Sequence, residues 1–205
     1  ISNLSISKSL NSEEIFNFNI TELEITNDGT VFTGSDGGEV YTNDGTSVTA
    51  ENFEFNKITS LLVASNNAKL VDTSQDIVIY ANKISYNKNY EEIKAEGKVL
   101  IIDNKRKIKI NSENIIYLKN KNEIIAKKNV NFIDQNKKIY IEADEIYYFK
   151  NKEKLLANNN VLLEDKIKNI QIKTDQITYQ KKLNRFFASG KTEANIDNNY
   201  QFLSE

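Results

Sequence analysis

The sequence predicts an all-β protein in which one long antiparallel sheet is built from repeated hairpins and creased along its length. Three observations predict this fold: apolar residues recur every 31 positions, they alternate with polar residues inside each repeat, and their parity changes once within a strand. Alternation at period two is typical of half-buried strands. A fixed repeat of this length is typical of stacked supersecondary units.

The 31-residue spacing continues through four consecutive units. Its columns are Ile77, Ile108, Ile139 and Ile170; Ile79, Ile110, Ile141 and Ile172; Ile84, Ile115, Ile146 and Ile177; Tyr86, Tyr117, Tyr148 and Tyr179; and Ala95, Ala126, Ala157 and Ala188. No insertion interrupts this register. Each unit should therefore follow the same backbone path.

The repeats define a single expected domain over residues 1–205, with clear units from about 46 to 200. Weaker units precede the four strong ones at the same offset. Tyr200 and Phe202 begin a further unit that Glu205 ends early. We therefore expect the chain to be a fragment of a longer protein.

Clusters rich in Asn and Lys separate the alternating segments, as at 87–89, 104–107 and 120–122. Asparagine tolerates positive φ and hydrogen-bonds its own backbone, so these clusters are typical of hairpin turns. One unit is then one antiparallel hairpin with two strands of about a dozen residues. A β-solenoid of parallel coils remains an alternative, although two polar turns per repeat favour hairpins.

The apolar parity changes inside the first strand of each unit, for example from Ile79 to Ile84. A strand absorbs such a change only through a bulge or a corner. Gly97 lies opposite this point in the second strand, and Gly or Asn recurs there in later units, with Lys128 as the exception. Because Gly and Asn permit a bent backbone, we expect corners that crease the stack, so that its two halves face each other across an apolar interior.

Two sequence patterns carry a family resemblance: Ile-x-Ala-Asp-x-Ile-x-Tyr at 141–148 and Ile-x-Ala-x-Gly-x-Val at 93–99. They resemble the OstA-like repeats of the lipopolysaccharide transport proteins. The stretch 189–200 is similar to the end of the N-terminal periplasmic domain of the family's outer-membrane assembly proteins, and the soluble bridge proteins are next in similarity. The resemblance spans about residues 46–200. It implies a creased antiparallel β-jellyroll (a β-taco), open along one side, that carries lipid A acyl chains in the periplasm, attached to the outer membrane in the full-length protein.

A lipid groove needs little more than apolar walls, which the inward columns would supply. The candidate lipid-groove residues are Ile79, Ile84, Tyr86, Ile110, Ile115, Tyr117, Ile141, Ile146, Tyr148, Ile172, Ile177 and Tyr179. We expect the tyrosines to line the mouth, with rings inward and hydroxyls in water. A ladder of stacked aromatics in a dry core accounts for the same residues. The alternative function is therefore a polysaccharide-binding or structural β-repeat protein.

An open hairpin stack leaves edge strands whose N–H and C=O groups can pair with another chain. The N-terminal edge has apolar residues without proline: Ile15, Phe18, Ile20, Leu23 and Ile25. We expect this edge to pair with the terminal strand of another transport jellyroll protein, which would give one continuous groove. Lipopolysaccharide is the implied ligand, and an outer-membrane barrel is a further partner if the chain comes from an assembly protein.

Composition argues against catalysis. The chain has neither Cys nor His, which removes thiolate nucleophiles, the commonest general base and the commonest zinc ligands. The acidic column of Asn82, Glu113, Asp144 and Asp175 repeats with the fold, as corner residues do and catalytic pairs do not. The aromatics are not interleaved with arginine, unlike those of single-strand binders. We expect no enzyme activity, no cofactor, no metal and no nucleic-acid partner.

Overall fold

The structure, a computed structural model, describes residues 16–196 and, for the backbone, 200–204. The described residues form the strands β1 (Asn17–Thr26), β2 (Val31–Tyr41), β3 (Thr46–Ala50), β4 (Asn52–Asn56), β5 (Leu61–Asp72), β6 (Ile77–Asn87), β7 (Glu92–Asp103), β8 (Ile108–Leu118), β9 (Glu123–Asp134), β10 (Ile139–Phe149), β11 (Lys154–Asp165), β12 (Ile170–Gln180), β13 (Arg185–Ser189), β14 (Thr192–Ile196) and β15 (Tyr200–Ser204). Single 3₁₀ turns follow β8, β10 and β12, at Lys119–Lys121, Lys150–Lys152 and Lys181–Leu183.

The strands pair in the order β1-β2-β3-β5-β6-β7-β8-β9-β10-β11-β12-β14-β15. β4 pairs with β2 and β5, and β13 pairs with β12. Every pair between described strands is antiparallel. The predicted hairpins are therefore confirmed, and a solenoid of parallel coils is excluded for these strands. In the last strong unit the second strand is interrupted at Gly190, between β13 and β14.

Each long strand bends near its middle, where the pairing register shifts. Between β6 and β7 the shift lies between Tyr80 and Lys83, which is where the apolar parity changes in the sequence. The partner strands bend through residues with positive φ, such as Gly97 at 76° and Lys128 at 67°. A lysine in this conformation costs roughly 1 to 2 kcal/mol, so the common path of the repeats overrides the local preference. The predicted corner is confirmed.

The creased sheet closes on itself, because side chains from opposite ends of the strands are in contact. β8 has 11 residues and would span about 36 Å if it were straight. Asp72 pairs with Ile77 at the start of β6, whereas Lys119 lies beside Glu91, beyond the end of β6. Lys119 Nζ is nevertheless 3.3 Å from Asp72 Oδ2. We call the line along which the two rows of turns meet the seam.

The inner faces of the two halves share one hydrophobic core. This core runs from Phe16 to Tyr179 and consists largely of alternate residues of the long strands. The predicted fold class is confirmed: the chain is all-β, a creased antiparallel β-jellyroll built of repeated hairpins. Among the described residues no helix is long and apolar enough to cross a membrane.

Candidate functional site

The predicted groove residues lie together in the interior of the creased sheet. Eleven of the twelve are between 0 and 2% exposed. Ile172 is half-buried and packs against the same core. Equivalent positions in successive hairpins are two strands apart, or about 10 Å, so each column follows the length of the stack. Together the columns give the interior a continuous apolar lining.

This interior is closed. The family resemblance implies a jellyroll open along one side, but here polar side chains meet across the seam. Lys181 Nζ lies 2.5 Å from Asp134 Oδ2, and Lys119 Nζ lies 2.6 Å from Thr46 Oγ1. Ile146, at the centre of the stack, is 0% exposed. The expectation of an open side is wrong, because these contacts join the two rows of turns.

The four tyrosines of the repeat are fully buried, and the described partners of their hydroxyls belong to the seam. Tyr86 OH donates to Glu91 Oε2 at 3.0 Å, and Tyr179 OH donates to Asp134 Oδ2 at 3.1 Å. Tyr148 OH has no hydrogen-bond partner among the described residues. Burial raises the pKa of each of these four phenols. The expectation of hydroxyls in water is wrong, because the closed seam excludes solvent from them.

Two columns of charged residues line the seam. We call them the aspartate row and the lysine row. The aspartate row ends the second strand of each hairpin, and the lysine row follows the first strand. Their members are Asp72, Asp103, Asp134 and Asp165, and Lys88, Lys119, Lys150 and Lys181. Each aspartate is at most 2% exposed. Both rows keep the 31-residue spacing of the isoleucines.

Each aspartate first holds its own turn. One carboxylate oxygen, Oδ1, accepts the backbone N–H three residues ahead, at 2.9 Å from Arg106 for Asp103 and at 3.1 Å from Lys137 for Asp134. The same bond recurs in the other two turns of the row. Such side-chain turns are a standard use of aspartate. The second oxygen, Oδ2, is thereby available to other groups, and in Asp72 and Asp134 it pairs with a lysine across the seam.

Two buried ion pairs cross the seam at equivalent positions of the repeat. Lys181 Nζ lies 2.5 Å from Asp134 Oδ2, and Lys119 Nζ lies 3.3 Å from Asp72 Oδ2. In both pairs the lysine follows its aspartate by 47 residues. The side chains are 10% and 0% exposed in the first pair and 9% and 0% exposed in the second. Removing Lys181 would leave the buried Asp134 without a counter-charge. Removing Asp72 would leave Lys119 with the more distant Glu91 Oε2, at 3.6 Å, and Asp44 Oδ2, at 3.9 Å.

Lys88 is the residue of the lysine row one unit before Lys119, at a part of the seam that is more exposed. Its Nζ lies 2.5 Å from Asp44 Oδ2 and also binds Glu91. Burial alone would lower the pKa of Lys88, but hydrogen bonds to Asp44 and Glu91 raise it. Burial would likewise raise the pKa of Asp44, but hydrogen bonds from Lys88 and Thr42 lower it. Both groups are therefore held in their charged forms.

Lys150 is the exception in the lysine row. Its side chain is fully buried, and its Nζ donates to Gln75 Oε1 at 3.3 Å and to Tyr117 OH at 3.2 Å. Asp103, the aspartate 47 residues before it, is bound instead by Arg106 Nη1 at 3.2 Å. Burial lowers the pKa of Lys150 to about 8, and the attraction of Asp103 only partly opposes this. This position of the seam is therefore the most weakly paired.

Sequence reasoning missed both charged rows, although their signal was present. The spacing that identifies the apolar columns also identifies the four aspartates and the four lysines. Turn residues are usually solvated, and lysine is abundant throughout this chain, so neither row stood out by residue type. The two rows are recognised as one structural feature only when the opposite ends of the strands are seen to be in contact.

The repeated acidic column lies at the corners, on the outer side of the sheet, as expected for corner residues. Asp144 Oδ2 accepts from Asn160 Nδ2 at 2.7 Å, and Asp175 Oδ2 accepts from the backbone N–H of Lys191 at 3.0 Å. A side chain at Gly190 would collide with Asp175. These carboxylates therefore brace the bend. No group of three or more acidic residues in the described part of the chain is arranged to hold a metal.

The predicted partner edge is β1, whose only described neighbour is β2. Phe18 and Ile20 are half-buried and pack against the core, while Leu23 and Ile25 are exposed. Ile15 lies outside the described residues. Part of this edge therefore serves the fold, and its second half presents apolar side chains to solvent.

Comparison with protein-family models finds no match, and comparison with curated proteins finds none either. Among solved structures, the chain is similar to LptH from Pseudomonas aeruginosa, the LptA homologous periplasmic component of the conserved lipopolysaccharide transport device. The identity is 12% and the TM-score 0.30, over 71% of this chain and 82% of that chain.

Proposed function

We propose that this chain is a periplasmic segment of a lipopolysaccharide-transport bridge, which shields lipid A acyl chains in its apolar interior and passes them to the outer membrane. The observation that carries the proposal is the continuous lining of isoleucine and tyrosine columns along a creased hairpin stack. The OstA-like pattern of the repeats supports the same function. The role is non-enzymatic.

The physical task is to lower the barrier for moving an acyl chain through water. Burial of one methylene is worth about 0.8 kcal/mol, so an acyl chain of a dozen carbons represents roughly 10 kcal/mol. A continuous apolar trough offsets this cost without forming or breaking a covalent bond. The columns supply the walls of such a trough, provided that the seam opens.

The partners follow from the same proposal. Other transport jellyroll proteins would pair with β1 edge to edge and extend the trough. Within the OstA-like proteins we favour the N-terminal domain of LptD, with LptA next. In the first case an outer-membrane barrel would receive the lipid.

A second candidate function is a polysaccharide-binding or structural β-repeat protein with a permanently dry core. The observation that favours it is the burial of the groove residues, eleven of which are at most 2% exposed. The two candidates differ in whether lipid ever reaches the interior.

Photo-crosslinking at two adjacent tyrosines of β10 would separate them. Tyr148 is buried in the interior, whereas Tyr147 lies on the opposite face and is half-buried. We expect azidophenylalanine in place of Tyr148 to capture lipopolysaccharide in transporting cells, because successive side chains of a strand point to opposite faces. The same residue in place of Tyr147 is the matched control and should capture none.

Equal capture at both positions would mean that lipid binds the surface without a groove. No capture at either position, with both variants folded, would favour the dry-core protein. Immunoblotting for lipopolysaccharide adducts after irradiation gives the result in one gel.

A further inference from the structure

The seam is the boundary through which an amphiphile would enter along the length of the stack. Elsewhere the wall consists of paired strands, whose hydrogen bonds form a continuous ladder from β5 to β12. Within residues 16–196, the two rows of turns are joined by side chains and not by backbone hydrogen bonds. A head group that remains in water while its acyl chains lie inside would have to sit between these rows.

The side chains at this boundary are charged and buried. Lys119 and Lys181 are paired with Asp72 and Asp134, and the aspartates are 0% exposed. Opening the seam separates each lysine from its carboxylate. Opening breaks these charge-assisted contacts, so the seam resists opening unless another anion reaches the lysines.

We propose that the lysine and aspartate rows form a latch, and that the anionic head group of an amphiphile opens it by replacing the aspartates on the lysines. The proposal rests on the proposed function and names the ligand chemistry that function requires at the seam, a phosphate-bearing amphiphile. Ammonium groups bind phosphate as point charges, and charge-assisted hydrogen bonds to phosphate are strong. A neutral or cationic amphiphile offers no such replacement.

The repeat supplies an internal control for the latch. Asp165 belongs to the aspartate row and holds its turn through Oδ1 like the others, with the N–H of Lys168 at 2.9 Å. Its Oδ2, however, has neither a hydrogen bond nor an ion pair in the part of the chain that the structure describes, whereas Asp72 Oδ2, which also lacks a hydrogen bond, has the ion pair with Lys119. Replacing Asp165 by asparagine therefore keeps the turn and removes none of the described ion pairs across the seam. Replacing Asp72 or Asp134 by asparagine keeps the turn and removes a counter-charge of the latch.

The first test measures opening without lipid. The chain contains no cysteine, so Val130→Cys places a single thiol in the core, at a position 1% exposed. Labelling by N-ethylmaleimide then reports how often the interior opens. We expect Asp134→Asn and Asp72→Asn to raise the labelling rate about 10-fold or more, and Asp165→Asn to change it less than 2-fold.

Denaturant dependence separates a latch from unfolding. Opening of the seam exposes less surface than unfolding, so its labelling rate should rise less steeply with urea than global unfolding does. The latch is overturned if the two asparagine variants label no faster than Asp165→Asn. It is also overturned if their faster labelling only follows their loss of global stability.

The second test identifies the head group, by calorimetric titration of the protein with dodecyl phosphate, dodecyltrimethylammonium or inorganic phosphate. We expect dodecyl phosphate to bind at least 10-fold more tightly than the other two, and Lys119→Gln to remove most of that difference. Equal binding of both amphiphiles would overturn the exchange of anions while leaving the groove intact. Binding of neither amphiphile would instead count against the proposed function, and equal binding of inorganic and dodecyl phosphate would show an anion site without a groove.

Discussion

Lys181→Met is expected to lower the free energy of unfolding by roughly 3 kcal/mol or more, because it leaves a buried carboxylate without its cation. Asp134 is 0% exposed, and its Oδ2 would retain only the Tyr179 hydroxyl. Urea denaturation followed by circular dichroism measures the change. Lys182→Met, on the exposed neighbouring residue, is the control and should change stability by less than about 0.5 kcal/mol.

Lys150→Met, in the same row, is expected to change the free energy of unfolding in the opposite direction from Lys181→Met. We expect it to raise that free energy by roughly 1 to 2 kcal/mol at pH 7. Lys150 is buried without an ion pair in the described part of the chain, and methionine fills a similar volume without a charge to desolvate. Equal losses of stability in Lys150→Met and Lys181→Met would mean that the two lysines contribute through packing rather than through charge.

The pH dependence of Lys150 has a defined sign. Its pKa in the folded protein, about 8, lies below the ordinary value of about 10.4. Between these values the unfolded chain binds more protons, so this group makes stability rise with pH. From pH 7 to 9.5 we expect wild type to gain about 2 kcal/mol relative to Lys150→Met. Charges acting on the amine belong to Asp72, Asp103, Lys105 and Arg106, and the comparison with the variant cancels their own titration.

Proline in the second half of β1 is expected to weaken binding of an OstA-like bridge protein such as LptA by 100-fold or more. Successive N–H groups of a strand alternate between its two sides, so of Leu23 and Glu24 one donates towards β2 and the other towards the open edge. Proline removes that donor. One of Leu23→Pro and Glu24→Pro should therefore abolish binding with an unchanged melting temperature, while the other loosens the β1–β2 hairpin.

Leu23→Ala keeps the N–H and serves as the matched control, with nearly unchanged affinity in a titration by surface plasmon resonance. If both proline variants bind the partner like wild type, the contact lies elsewhere on the molecule. This test is independent of whether lipid enters the interior.

The sequence was sufficient for the architecture because the repeat expresses it in every unit. The change of parity between Ile79 and Ile84 predicted the corner, and the shift in register between Tyr80 and Lys83 lies there. Lys128 departs from the Gly or Asn expected at the corner, yet its backbone adopts the same left-handed conformation. Neighbouring repeats on both sides impose this path, so one unfavourable residue does not change it.

The seam could not be predicted in the same way, because its contacts join opposite ends of strands. Lys181 and Asp134 are 47 residues apart, and nothing in either turn marks them as partners until the degree of creasing is known. The same limit explains the tyrosines. Their spacing predicted inward rings, but whether the hydroxyls meet water depends on how closely the two rows of turns approach.

The most direct test of the central claim, that the interior holds acyl chains, is an intermolecular nuclear Overhauser measurement with methyl-labelled isoleucine. Ile115 and Ile146 point into the interior, whereas Ile116 and Ile125 lie on the outer face. With protonated lipid A bound to otherwise deuterated protein, we predict cross-peaks from the acyl methylenes to the methyl groups of Ile115 and Ile146, and none to Ile116 and Ile125. Cross-peaks confined to the outer pair, or none to the inner pair at saturating lipid, would contradict the account.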